Sequence, residues 1–437
     1  MPFARLDSAA VARSLSQIAD RPGDLADVFF ERREEIELPP DDEAPGIRVW
    51  REEGLAARLL RNGRSWLAGR DGVDRDSFHD ALRRAARALP RASYPLPELD
   101  VEGWSGPPRA PELLEFPPAV QRAVRSHHVS FPLRLTVRRH RRWLRTIGTQ
   151  LSSGVEEESF YSYRAETPWG RTGGLLTELD DPAAERVALG VMRAYRGREA
   201  EAPKPGRTVA VLGASATAVL LHEAVAHALE ADTLALGGHP EAAVGVRMGS
   251  ELLNVFDDPG TAPAGVRRAA DDEGYPVSRR CLLRRGVVEQ PLCDAAWART
   301  SESFTAGAGR RGDRHHPPGP RSSHLVLAPG ELAAAELLDG ADGGLYLSEV
   351  ERGRLDPLTG ELTLRFAGGR RIENGVPGPP VGPSTLRGRL RDLLDKVAGV
   401  GREVHAAGAG WCAKGGVKVA VWATAPELRF DGVEIAP

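Results

Sequence analysis

Cysteine is scarce in this chain: Cys281, Cys293 and Cys412 are the three present in 437 residues. An odd, sparse set does not build a disulfide framework. An excess of one charge is lacking too, since 58 basic side chains stand against 61 acidic ones, a net charge of −3. Bulk binding of nucleic acid needs a basic surface, so this balance argues against nucleic acid as a partner and leaves local patches only. Arg138–Arg145 is one such patch, and the alternation of Leu133, Leu135 and Val137 before it marks a solvated strand face. Long hydrophobic runs are missing as well. The longest weakly charged stretch, 209–229, contains His222, Glu223 and His227, so it reads as a buried core helix and not as a membrane span. Met1–Asp20 has no apolar run ahead of a cleavage site, which leaves the cytoplasm as the expected compartment. No fixed-period repeat is present.

What is present divides in two. Residues 8–20 and 77–89 have the apolar spacing of amphipathic helices, and 27–38, 47–50 and 55–60 alternate as a strand meander. A proline-rich connection spans 90–118, followed by strands near 130–137, 143–151 and 158–166 and a helix near 182–195. The polar stretch 196–206 marks a boundary between an N-terminal α+β domain, 1–205, and a β-rich domain, 206–437, carrying a buried helix. Residues 384–400 read as one late amphipathic helix. The Gly-, Arg- and Pro-rich segment 307–324 reads as a mobile loop or substrate rim. Asp257-Asp258 and Asp271-Asp272-Glu273 adjoin Pro259 and Gly274, so they read as turn acids and not as a second metal site or a glycosidase pair.

The chemistry concentrates in His222-Glu223-Ala-Val-Ala-His227-Ala-Leu-Glu230-Ala-Asp232. Neutral imidazole is a good zinc donor, and a glutamate beside the first ligand can act as general base. The histidines are i and i+5, about 140° apart on a regular α-helix. Both rings reach one metal only if the helix is widened, as in a π-bulge, or bent. The alternative is a buried, hydrogen-bonded histidine pair, but burying Glu223 among Val219, Leu220, Leu221, Val225 and Leu229 is costly unless a cation offsets it. A third donor is needed for a catalytic site. Cys412 qualifies, because the glycine-rich Gly410-Trp-Cys-Ala-Lys-Gly-Gly416 turn and Lys414 favour thiolate. By itself it reads more readily as a core cysteine than as a ligand.

The 222–232 string resembles the signature of the TldD/PmbA family of metallopeptidases. Val255–Pro259, Asp271–Gly274 with Leu282-Leu283 and Gly286–Val288, Gly344-Leu-Tyr346 with Ile372–Gly375, and Trp411–Gly416 resemble later family elements in the same order. The resemblance implies that His222, His227 and Cys412 hold one Zn²⁺ per chain and that Glu223 is the catalytic carboxylate. It implies hydrolysis of unfolded or short peptides, in maturation or turnover, by a homodimer or a heterodimer with a PmbA-like paralog. A non-catalytic partner subunit or a peptide-binding scaffold is the alternative. Glu230 orients an imidazole or caps the helix, and Lys414 and Arg321 are expected near substrate or in supporting salt bridges. Ala413 and Val417 depart from the family's usual glycine and glutamine, which bears on substrate preference and leaves the ligands intact.

Overall fold

Fourteen residues, the first eight all buried, form the long strand β1 (Leu25–Leu38), and this strand organises the first half of the protein. The computed structural model describes residues 1–40, 43, 46–86, 96–197, 199–237 and 239–437. The strands β2 (Arg48–Arg61), β3 (Arg64–Asp71), β4 (Arg134–Gly148), β5 (Glu156–Thr167) and β6 (Gly170–Leu176) complete an antiparallel sheet of order β3-β2-β1-β4-β5-β6. Alternate side chains of a strand face opposite sides. Val28 and Phe30 pack under α1 (Ser8–Ser16) and α2 (Arg75–Ala85), and Ile36 packs under α3 (Pro111–Ser126) and α4 (Asp181–Gly197). The helix expected over 77–89 is α2; its end, together with residues 90–95 of the expected connection, lies outside the described residues. The rest of that connection is partly helical. Pro111 sits in the first turn of α3, where its missing N–H costs nothing, and Leu113, Phe116, Val120 and Val124 bury its apolar face despite Pro117 and Pro118.

The arginine patch on β4 is consumed within this sheet. Arg139, Arg141 and Arg142 pair with Glu34, Glu157 and Glu31 of the flanking strands. The opposite face of β1 meets the second half of the chain through charge. Arg58 donates to Asp27 at 2.7 Å and to Glu273 at 2.5 Å. Arg311 donates to Asp27 at 2.8 Å, and Arg268 donates to Asp272 at 2.6 Å. These findings extend one expectation and correct another. Asp271, Asp272 and Glu273 lie at a tight turn, as expected, with Gly274 at φ +86°, and they are also buried and serve an ionic core. Arg310, Arg311, Arg314 and Arg321 of the expected mobile rim are buried too, because carboxylates and carbonyls draw them inward.

In the second half, β7 (Gly206–Leu212) lies inside a sheet that runs from an edge strand, Val350–Leu355, to Val376–Val381. A second sheet contains β8 (Val255–Asp257) and ends at the edge strand His405–Lys414. Residues 384–400 are not one helix. Ser384–Arg389 is a strand whose Leu386 lies opposite Leu364 and Ile435, and only Leu390–Leu394 is helical. Pairing on both sides overrides the helical spacing of its leucines. The architecture is α+β and strand-rich, and among the described residues no helix is long and apolar enough to cross a membrane.

Candidate metal centre

β7 runs into Gly213, where a Cβ would stand 2.9 Å from the Tyr346 hydroxyl, so the tight entry to the next helix needs glycine. The helix α5 (Ala214–Leu221) follows and is sheathed by Ala216, Ala218, Leu220 and Leu221 in the core. Its next turn, His222–Ala226, is a π-turn closed by the His227 N–H donating to the His222 carbonyl at 3.1 Å. That i→i+5 bond is the widening that the histidine spacing requires. It sets the two imidazole rings 4.5 Å apart, centroid to centroid, at 67°.

The edge strand His405–Lys414 brings Cys412 to these rings, with Cys412 Sγ 3.6 Å from His227 Nε2. One donor atom from each of His222, His227 and Cys412 lies within 4.8 Å of the others. The donor set suits a borderline cation. Burial pushes His222 down to about 3, so its ring is neutral and ready to donate, and its Nδ1 is buried without a partner. Burial also pulls on His227, but the Cys412 sulfur and the Glu230 carboxylate outweigh it and hold this ring up to about 10. The same two neighbours that hold a proton on this ring are placed to hold a metal ion.

Glu230 is buried beneath His227. Its Oε2 lies 3.1 Å from His227 Nδ1 and accepts from Lys414 Nζ at 2.6 Å. Lys414 donates also to Asp232 at 2.7 Å and to Thr233 at 2.9 Å. It therefore ties the cysteine strand to the segment after the π-turn, in a salt bridge that does not involve the acidic hairpins. Arg321 Nη1 stands 3.9 Å from Glu230 on the far side and is buried away from the cavity. Glu223 opens with His222, His227 and Cys412 onto a cavity of about 390 Å³. Burial raises its carboxyl above the ordinary glutamate range, with His227 and a backbone N–H of Leu355 opposing.

Sequence reasoning missed the far wall. The edge strand Val350–Leu355 supplies Arg352, Gly353 and Arg354 to the cavity. A Cβ on Gly353 would lie 2.7 Å from Glu223 Cγ and 2.9 Å from Val219 Cγ1. Its six residues lack alternation, so only the closeness of a glycine to two arginines marked it. Trp411, beside Cys412, packs edge-on against His140 and Phe160, so the first half of the chain also braces the ligand strand.

Residues 205–437 match the family model described as the PmbA/TldA metallopeptidase C-terminal domain. The chain is similar to a metalloprotease TldD homolog of Buchnera aphidicola, 27% identical over 237 residues, covering 54% of this chain and 49% of that protein. It is 31% identical over 265 residues to a metalloprotease of Methanothermobacter thermautotrophicus, covering 60% of this chain and 57% of that protein. The chain thus spans about half the length of the curated relatives it matches. The crystal structure of TldE from Thermococcus kodakarensis superimposes with a TM-score of 0.74 at 17% identity, covering 98% of this chain and 100% of that one, which is a likeness of fold.

Proposed function

The chain belongs to the PmbA/TldD metallopeptidase family, and from that premise we propose that it is a zinc-dependent peptidase acting on unfolded or short peptides in the cytoplasm. The observation that carries this reading is the convergence of His222, His227 and Cys412 within 4.8 Å, with Glu223 on the same cavity. These three side chains would hold one zinc ion per chain. When bound, zinc supplies Lewis acidity toward water and toward a scissile carbonyl.

The residues of the chain do the rest. Glu223 takes the proton from the attacking water and returns it to the leaving amine. Its raised carboxyl pKa makes the carboxylate a stronger base for taking that proton. Glu230 accepts from His227 Nδ1, fixing the ring so that Nε2 points toward Cys412. Lys414 offsets the charge on Glu230 and fastens the cysteine strand to the segment after the π-turn. The partner in this proposal is a second copy or a PmbA-like paralog.

The test compares the purified chain with Glu223→Ala for zinc content and for cleavage of an unstructured peptide pool. The expected result is about one zinc per chain in both proteins, with cleavage by the parent only. Failure of the parent to take up zinc after reconstitution overturns the reading and assigns the chain to a non-catalytic partner role.

A further inference from the structure

Three cavities run into one another along the edge strand Val350–Leu355. The metal cavity shares His222, Glu223, Gly353 and Trp411 with a neighbour of about 270 Å³. That neighbour shares Gly173, Val350 and Glu351 with a cleft of about 590 Å³ between β6, α4 and the same edge strand. Arg352 lines all three. Arg354 lines the metal end and Arg171 the far end.

The charges along this groove are unequal in a telling way. Besides Glu223, its carboxylates are engaged: Glu351 pairs with Arg365 at 3.2 Å, and Glu349 pairs with Arg193. Lys414 is held by Glu230 and Asp232. Asp356, near Arg354, accepts instead from the N–H groups of Leu358 and Thr359 in its own turn. Among the described residues, no ion pair or hydrogen bond engages the side chains of Arg171, Arg352 or Arg354, and all three are exposed. Arg352 also stands directly across from Arg365 on the neighbouring strand. Like charges opposite each other weaken a strand pair. These three arginines stand without an ion pair beside the cavity that His222, Glu223, His227 and Cys412 line.

We infer that this groove selects acidic peptides: Arg354, Arg352 and Arg171 form a track that receives aspartate and glutamate side chains of a substrate whose scissile bond lies at Glu223. The inference rests on the peptidase reading for the place of the bond, but the charge preference is a binding property and is measured separately. The arginines of segment 310–321 take no part, since they are buried in the ionic core.

The test uses the chain carrying Glu223→Ala and a fluorescent unstructured peptide rich in Asp and Glu, beside its Asn/Gln isostere. Anisotropy at low salt is expected to show the acidic peptide binding about ten-fold more tightly, with the preference shrinking as salt is added. Arg352→Gln/Arg354→Gln is expected to reduce the preference to about two-fold or less, and Arg352→Lys/Arg354→Lys to keep most of it. Equal binding of the two peptides, or a preference that survives the glutamine pair, overturns the inference. So does tighter binding of a single-stranded oligonucleotide of the same net charge, which would make the track a nucleic-acid surface. Acidic preference without cleavage by the parent chain would sink the peptidase reading and leave this one standing; cleavage of both peptides with the same kcat/KM would do the reverse.

Discussion

Glu230 has no solvent contact, yet it is charged, and three cationic or proton-donating groups converge on it: His227, Lys414 and Arg321. Burial acts to raise its pKa, and those neighbours more than reverse the effect. Its role is to keep His227 in one tautomer and one orientation. Glu230→Gln keeps the shape and removes the charge, so zinc affinity measured against a chromophoric chelator is expected to fall about 10- to 100-fold. Unchanged affinity would show that Glu230 only closes the core. Asp257 presents the opposite case. Burial pushes its pKa up from 3.8 to about 6, although the Ser323 and His324 N–H groups donate to it at 2.9 Å. The folded state therefore holds this proton more tightly than the unfolded one. The associated stability is complete below about pH 4 and is lost as pH rises through about 6. Asp257→Asn keeps the acceptor oxygen and removes the charge. It is expected to be about 1–3 kcal/mol more stable than the parent at pH 8 and to hold no advantage at pH 4, as read by urea unfolding. At this scale the sequence was legible where chemistry sets residue type, as at His222, Glu223 and His227. It was misleading at Asp257, where proximity to Pro259 reads as a turn acid and the residue is in fact the buried end of β8.

The element that makes the centre is the π-turn, and its need followed from spacing alone, because i and i+5 on a regular helix diverge by about 140°. The arrival of Cys412 did not follow from spacing; 185 residues separate it from His227, and only the family resemblance joined them. The edge strand Val350–Leu355 was illegible for another reason. An edge strand whose half-buried residues, Val350, Gly353 and Leu355, are unevenly spaced carries no period to detect. Gly353 nevertheless determines where Glu223 lies. In Gly353→Ala the new methyl would press on Glu223 Cγ and on Val219, and Val219 is held by the core. The carboxylate must swing aside. A displacement of about 1 Å in a reacting group costs on the order of 100-fold in rate, so kcat is expected to drop by about that factor while zinc content stays at the parent's level. Full activity in this variant would mean that Glu223 has room to spare and that the strand does not position it.

At the scale of the whole molecule, the two halves meet through buried charge beside apolar clusters such as Phe160 and Leu175 with Ala420 and Trp422. Nothing in a near-neutral composition announces this, since Asp27, Arg58, Glu273 and Arg311 are far apart in sequence and each reads singly as a solvated residue. Their burial makes the members of the network unequal. Arg58 is shared by Asp27 and Glu273, and its removal leaves the buried Glu273 without its cation while Asp27 keeps Arg311. Arg311 is more deeply buried, but its Nε and Nη1 have no partner, and Asp27 would keep Arg58 after Arg311 was gone. Breaking a buried pair costs about 3–5 kcal/mol, because the remaining charge is stranded; removing a poorly satisfied charge that strands nothing is close to neutral. Arg58→Met is therefore expected to lose about 3–5 kcal/mol in urea unfolding at pH 7, and Arg311→Met to fall within about 1 kcal/mol of the parent in either direction. Equal losses in the two variants would mean that the network acts as one indivisible unit, with Arg311 contributing through its stacking on the Phe29 ring, 4.8 Å from its guanidinium carbon, as much as through its charge.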